Sequence, residues 1–147
     1  IVLKLFDIVQ PDAAFFGEKD YQQYLVIKKM TESLKLNTRI ICVKTVRDRN
    51  VLPLSSRNSY LSGQEFKIAI KINKLLKKLP PLIKTKLKIN KILNHTKKIL
   101  IDHGVDKIDY LTVLNDDLSV RKKISDKSRI FIAAKIGNTR LIDNIKI

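Results

Sequence analysis

The 147-residue sequence has one cysteine and two histidines. A lone Cys42 cannot close an internal disulfide. Its place in the apolar run Ile40-Ile41-Cys42-Val43 predicts a reduced, buried strand residue, consistent with a cytoplasmic protein. No apolar stretch approaches the roughly 20 residues that span a bilayer, and the apolar start ends at Pro11, so no membrane partner is expected. Metal-binding side chains do not cluster, and no protein metal cage is expected. His95 and His103 lie on a Lys-rich helical stretch and read as structural or exposed. Acidic residues are scarce, 14 against 30 basic ones, for a net charge of +16. That excess suggests a polyanion partner through counterion release. However, Lys77, Lys78, Lys84, Lys86, Lys88, Lys91, Lys97 and Lys98 are strewn among Ile and Asn without Arg clusters or interleaved aromatics. A biased composition giving solvated helix faces is the preferred explanation, with a non-enzymatic basic RNA-binding protein as the alternative. No internal repeat is visible.

A hydrophobic content of 44% is enough for a packed core in one ordinary domain, or in one small domain plus part of another. Val2, Leu5, Phe6 and Val9 follow Ile1 at helical spacing, as though a helix had been entered midway, and the chain is expected to be a piece of a longer one. Ala13 to Phe16 is a short apolar run stopped by Gly17. Tyr21, Tyr24, Leu25, Ile27, Met30 and Leu34 then recur with a helical period, and Arg39 to Val43 is a second strand. Strand, helix, strand predicts a parallel βαβ unit, in which ligands collect at the carboxyl ends of the strands.

Beyond Asn58 the pattern changes. Ser62 and Glu65 have capping-box spacing, and Ile68, Ile72, Leu75, Leu76 and Leu79 form a stripe that Pro80-Pro81 is expected to end. A second helix carries Ile89, Ile92, Leu93, Thr96, Ile99 and Leu100 and stops at Gly104. Strand-like runs follow at Ile108 to Leu114, Arg129 to Ala134 and Leu141 to Ile145. The predicted class is α/β. Residues 1–47 read as the end of a domain built on that βαβ unit, and residues 48–147 as a small α+β C-terminal domain.

Two polar clusters could carry chemistry. In Gly17-Glu18-Lys19-Asp20, a glycine after a strand lets backbone approach a ligand, and the following helix start can bind an anion. Lys19 would add positive charge there, and Asp20 could accept from a ribose; the plain alternative is a βα loop with Asp20 as N-cap. In Leu54-Ser55-Ser56-Arg57-Asn58, two hydroxyls and one guanidinium fork suit phosphate oxygens, but the same residues also make an ordinary Ser-rich loop before a capped helix.

Taken together, the order and spacing decide between these readings. Phe16 to Gln23, Thr45-Val46-Arg47, and Leu54 to Leu61 resemble the pantothenate synthetase family, as do the start (Lys4 to Phe6, Ile8 to Asp12) and the end (Ile136 to Asn144). The resemblance implies that residues 1–47 are the end of a Rossmann-like nucleotidyltransferase domain, and that the chain serves an ATP-dependent ligase that joins pantoate to β-alanine through a pantoyl-adenylate, with Mg2+ on the phosphates, working as a cytoplasmic homodimer without nucleic acid or membrane partners. Another adenylate-forming enzyme of the nucleotidyltransferase superfamily is the second reading. By position, Gly17, Glu18, Lys19 and Asp20 match the family's first ATP-binding stretch, Gln23 a pantoate-binding glutamine, and Val46 a valine on the adenine side. Leu54, Ser55, Ser56 and Arg57 match the loop that closes over the phosphates, so Lys19, Ser55, Ser56 and Arg57 are the expected catalytic set. Lys44 replaces a usual proline, Val51 a common glycine and Pro53 a small residue, which predicts an altered loop because valine adopts positive φ only at a cost. The family's His-x-Gly-His motif is expected upstream of Ile1, and the isolated chain is expected to be inactive.

Overall fold

The computed structural model describes residues 1–84, 88–119, 124–125 and 127–147. The chain divides into two compact units, Ile1–Thr45 and Val46–Ile147.

The first unit opens with α1 (Val2–Val9), closed by Gln10 in the left-handed conformation with its N–H on the Phe6 carbonyl, just before Pro11. β1 (Ala13–Gly17), a short 3-10 turn (Glu18–Asp20), α2 (Tyr21–Ser33) and β2 (Arg39–Val43) follow. The two strands pair in parallel from Ala13 opposite Arg39 to Gly17 opposite Val43, as the strand-helix-strand pattern predicts. On α2 only Ile27 and Thr31 are buried, and Thr31 satisfies its hydroxyl on the Ile27 and Lys28 carbonyls. Apolar side chains remain open on this unit, with Leu5 52% and Phe15 67% exposed. Cys42 departs from expectation. It lies on β2 but is only half-buried, because a two-stranded sheet gives its strands fewer covered positions than a central strand would have.

The second unit runs from a 3-10 turn (Ser56–Tyr60) through α3 (Gly63–Lys84) and α4 (Ile89–Asp102) to β3 (Lys107–Asn115), β4 (Ser128–Ile136) and β5 (Thr139–Lys146). The strands form an antiparallel meander in that order. The α/β class expected from sequence is therefore present, with a parallel pair in one unit and a small antiparallel sheet in the other. The capping box closes reciprocally: the Ser62 N–H donates to Glu65 Oε2 (2.7 Å) and the Glu65 N–H to Ser62 Oγ (3.3 Å).

The expectation that Pro80-Pro81 ends the first long helix is wrong, since α3 continues through both to Lys84. Each proline removes one helical donor and crowds the preceding turn. The last turn holds nonetheless because Leu79 and Ile83 are buried in the core with Leu76, Leu93, Leu100 and Ile132. β4 is the central strand and is buried along most of its length, as its neighbours on both sides require. The β4–β5 turn needs Gly137 at φ 54, where an added Cβ would run into the Glu65 carboxylate. Lys77, Lys78, Lys84, Lys88, Lys91 and Lys98 sit on exposed positions of the helical segments; Lys86 lies outside the described residues.

Candidate functional site

In the first unit, the turn begins where β1 leaves its pairing with β2. Gly17 is extended (φ −68°, ψ 132°), and a Cβ built there would meet no heavy atom within 4 Å. The fold therefore makes no demand for glycine, and the open space beside the backbone is available to a ligand. Beyond it, Glu18 Oε2 accepts from the Thr45 N–H (3.4 Å), tying the turn to the segment that follows β2. Lys19 is mostly buried, 15% exposed at the side chain, with its ammonium 3.6 Å from Asp20. Asp20 occupies the N-cap position of α2 but makes no side-chain cap bond. Gln23 is exposed in the first turn of the same helix.

In the second unit, the candidate residues are placed by a tight loop. Arg47 and Pro53 bridge as in an antiparallel pair, and the Leu54 N–H donates to the Val46 carbonyl (2.9 Å). This makes neighbours of Val46, 63% exposed, and Leu54, 56% exposed: two apolar side chains on a wet surface, suited to the face of a flat aromatic ring. Between them, the Asp48 carboxylate accepts from the Asn50 and Leu52 N–H groups (2.8 and 2.9 Å) in an Asx-type turn. Val51 does take positive φ, 74°. The chain thus holds a β-branched residue in the left-handed region where the resemblance implied glycine, and the Asp48 bonds on either side keep it there.

Immediately after comes the Ser-Ser-Arg segment. Ser55 Oγ accepts from the Arg57 N–H (3.3 Å), which leaves its own proton to donate, and Ser59 Oγ donates to the Ser56 carbonyl (2.7 Å). Asn58 Nδ2 donates to the Pro53 carbonyl (2.9 Å), so Asn58 orders the loop, while the cap of the 3-10 turn is Ser55. Arg57 is exposed and its guanidinium has no carboxylate partner among the described residues. With Tyr60, Glu65, Asn138, Thr139 and Arg140 it lines an open groove of about 570 Å³. Arg140 is held across the sheet surface by Asp109 (2.7 Å), a bond that lowers the Asp109 pKa and raises that of Arg140. Arg57 is thus the guanidinium left available at the groove.

Sequence reasoning did not single out the partner of Arg47. Its fork grips Asp143 with Nη1 to Oδ2 at 2.7 Å and Nη2 to Oδ1 at 2.9 Å, and Nη1 also reaches Asn73 Oδ1 and the Val51 carbonyl. Arg47 and Asp143 both fall inside stretches that carried the resemblance, but nothing local says that they meet.

A family model described as pantoate-beta-alanine ligase matches residues 1–146. A curated pantothenate synthetase from Shewanella oneidensis is 42% identical over 99% of this chain, and one from Buchnera aphidicola subsp. Acyrthosiphon pisum is 44% identical over all of it. In both cases the match covers 52% of the relative, so the chain spans about half the length of the curated relatives it matches. Among solved structures, a pantothenate synthetase from Thermus thermophilus superposes with a TM-score of 0.89 at 33% identity, covering 99% of this chain and 53% of that one. A pantoate-beta-alanine ligase from Francisella tularensis, complexed with beta-gamma ATP and beta-alanine, superposes at 0.74 with 34% identity over 99% of this chain and 47% of that one.

Proposed function

The chain belongs to the pantoate-beta-alanine ligase family, and from that footing we propose that its two loops serve an ATP-dependent ligase that condenses pantoate with β-alanine. In the first step the pantoate carboxylate attacks the α-phosphorus of ATP, forming pantoyl-adenylate and expelling pyrophosphate. In the second, the β-alanine amine attacks the acyl carbon and AMP leaves as the amide forms.

Neither step needs a protein nucleophile. The first builds negative charge on the α-phosphate and the departing pyrophosphate, so fixed donors and cations lower the barrier. In this reading the Gly17 to Asp20 turn, with Glu18 and Lys19, positions ATP, Gln23 contacts pantoate, and Val46 and Leu54 cover the adenine. Ser55 and Ser56 donate hydroxyl protons to phosphate oxygens, and Arg57 meets the charge as it develops. Magnesium, when bound with the nucleotide, would supply further positive charge against the phosphates. Among the described residues no group of three or more His, Cys, Asp or Glu could hold a metal ion.

The observation that carries this reading is the Arg57 guanidinium, which has no carboxylate partner among the described residues and is set at a groove by a loop with internal hydrogen bonds. The nucleotide and β-alanine named for the Francisella tularensis relative support it further. The sequence contains no His-x-Gly-His, and the 147 residues alone are expected not to turn over. Homodimerisation and a cytoplasmic location belong to the same proposal; no helix among the described residues is long and apolar enough to cross a membrane.

The test is single-turnover adenylate formation, with ATP titrated, in a full-length protein carrying this segment. Arg57→Ala should lower the rate constant by about 10²–10³, the loss typical of one transition-state donor, with a smaller effect on ATP binding. An unchanged kcat with only a raised KM for ATP would mean uniform binding, and the transition-state role would have to be dropped.

A further inference from the structure

We propose that Arg47, acting through Asp143, is a positioning residue for the phosphate loop: it sets the geometry from which Ser55, Ser56 and Arg57 work, an inference that rests on the ATP reading above. One guanidinium reaches four acceptors on three parts of the second unit. These are both oxygens of Asp143 on β5, Asn73 Oδ1 on α3 (3.0 Å) and the Val51 carbonyl in the turn (3.2 Å). A lysine has no such planar fork.

Asp143 is 5% exposed and Asn73 is as deeply buried, so the anchor is rigid; Asn73 Nδ2 is itself fixed on the Ala69 carbonyl (3.2 Å). The turn is the part that needs holding. Val51 sits in a conformation that β-branched residues avoid, and Arg47 takes its carbonyl while the Asp48 carbonyl takes its N–H (2.9 Å). From Val51 the chain passes through Leu52 and Pro53, both buried, and Asn58 clamps the Pro53 carbonyl. Only Leu54 then separates this fixed path from Ser55. A shift at Val51 would therefore be passed on to the hydroxyls and to Arg57.

A merely stabilising role explains the arrangement less well. A buried ion pair is often no more stabilising than apolar residues of the same volume, whereas it can specify one geometry. A misplacement of the order of 1 Å at reacting groups costs roughly 10²-fold in rate, so fixing the loop has a functional return.

The experiment is a double-mutant cycle in the full-length protein, joined to amide hydrogen exchange. Asp143→Asn keeps the shape and removes the charge; Arg47→Lys keeps the charge and removes the fork. Each should lower kcat for adenylate formation by about tenfold or more, with a smaller change in the KM for ATP. In an Arg57→Ala background, Asp143→Asn should cost a smaller factor than it does with Arg57 in place, because one of the groups it positions is gone. Amides of Leu52 and Leu54 should exchange about tenfold faster in Asp143→Asn, while those of Ile130 and Ile132 on β4 keep their protection. Equal losses from Asp143→Asn with and without Arg57, or a uniform rise in exchange over the loop and β4, would overturn the proposal and leave the pair a staple of the fold. If Arg57→Ala alone leaves kcat unchanged, the phosphate reading fails instead. The exchange pattern, which involves no ATP, then decides whether Arg47 holds the turn.

Discussion

Gly17→Ala separates what the fold requires from what a ligand requires. The added methyl meets nothing within 4 Å, and the backbone at φ −68° is one that alanine adopts freely. The folded state therefore loses nothing, while the unfolded chain loses freedom, so stability should rise by about 0.4–1 kcal/mol. In the proposed enzyme the same methyl fills the space through which backbone approaches ATP. A displacement of about 1 Å there should cost roughly 10²-fold in kcat/KM for ATP, or about 2.7 kcal/mol. The two effects have opposite sign, which a general loss of structure cannot mimic. Stability is read by urea titration of the 147-residue chain with a separate probe in each unit, since two units need not unfold together. Activity is read in the full-length protein. A kcat/KM within about twofold of the parent would show that no ligand comes close to Gly17. A destabilised chain would show that the space beside it is not open. Gly137→Ala is the contrasting control: with φ 54° and the Glu65 carboxylate in the way, it should lose at least about 1–2 kcal/mol.

Val51→Gly should relieve a left-handed cost of about 1–2 kcal/mol and add about 0.5–1 kcal/mol of chain entropy; a net gain of up to about 1.5 kcal/mol in a urea titration is expected, and a loss would mean that Val51 packing outweighs its strain. Pro81→Ala, at an exposed position inside α3, restores a helical donor and should raise the urea midpoint by an amount worth about 2 kcal/mol; no change would mean that the last turn does not need that bond. The Asp109 carboxyl, lowered chiefly by its hydrogen bond from Arg140, should titrate below the usual value of about 3.9 in an NMR titration and move back up in Arg140→Ala. Because its folded pKa is depressed, any stability it adds is present above the unfolded value and is lost as pH falls through the folded one. Salt should weaken the effect, since the pair is open to solvent.

Features governed by neighbours a few residues apart are legible in the linear sequence. A short apolar run marked Arg39–Val43 as a strand, the interval from Ser62 to Glu65 predicted the reciprocal cap of α3, and the order of the Gly17 and Ser55–Arg57 loops carried the family. These depend on side-chain period and local hydrogen bonds, which a linear reading captures. Tertiary structure decided the rest. Pro80 and Pro81 should stop a helix on local grounds, but the burial of Leu79 and Ile83 outweighs two missing donors. Cys42 lies in an apolar run that looks buried, and its half-exposure depends on how few strands flank it. The strain at Val51 was foreseen as a difficulty, but whether the loop would yield or hold depended on Asp48 and on Arg47 reaching β5, 96 residues further along the chain. A contact over that separation is set by how α3 and β5 pack in the second unit, and no periodicity or local propensity encodes it.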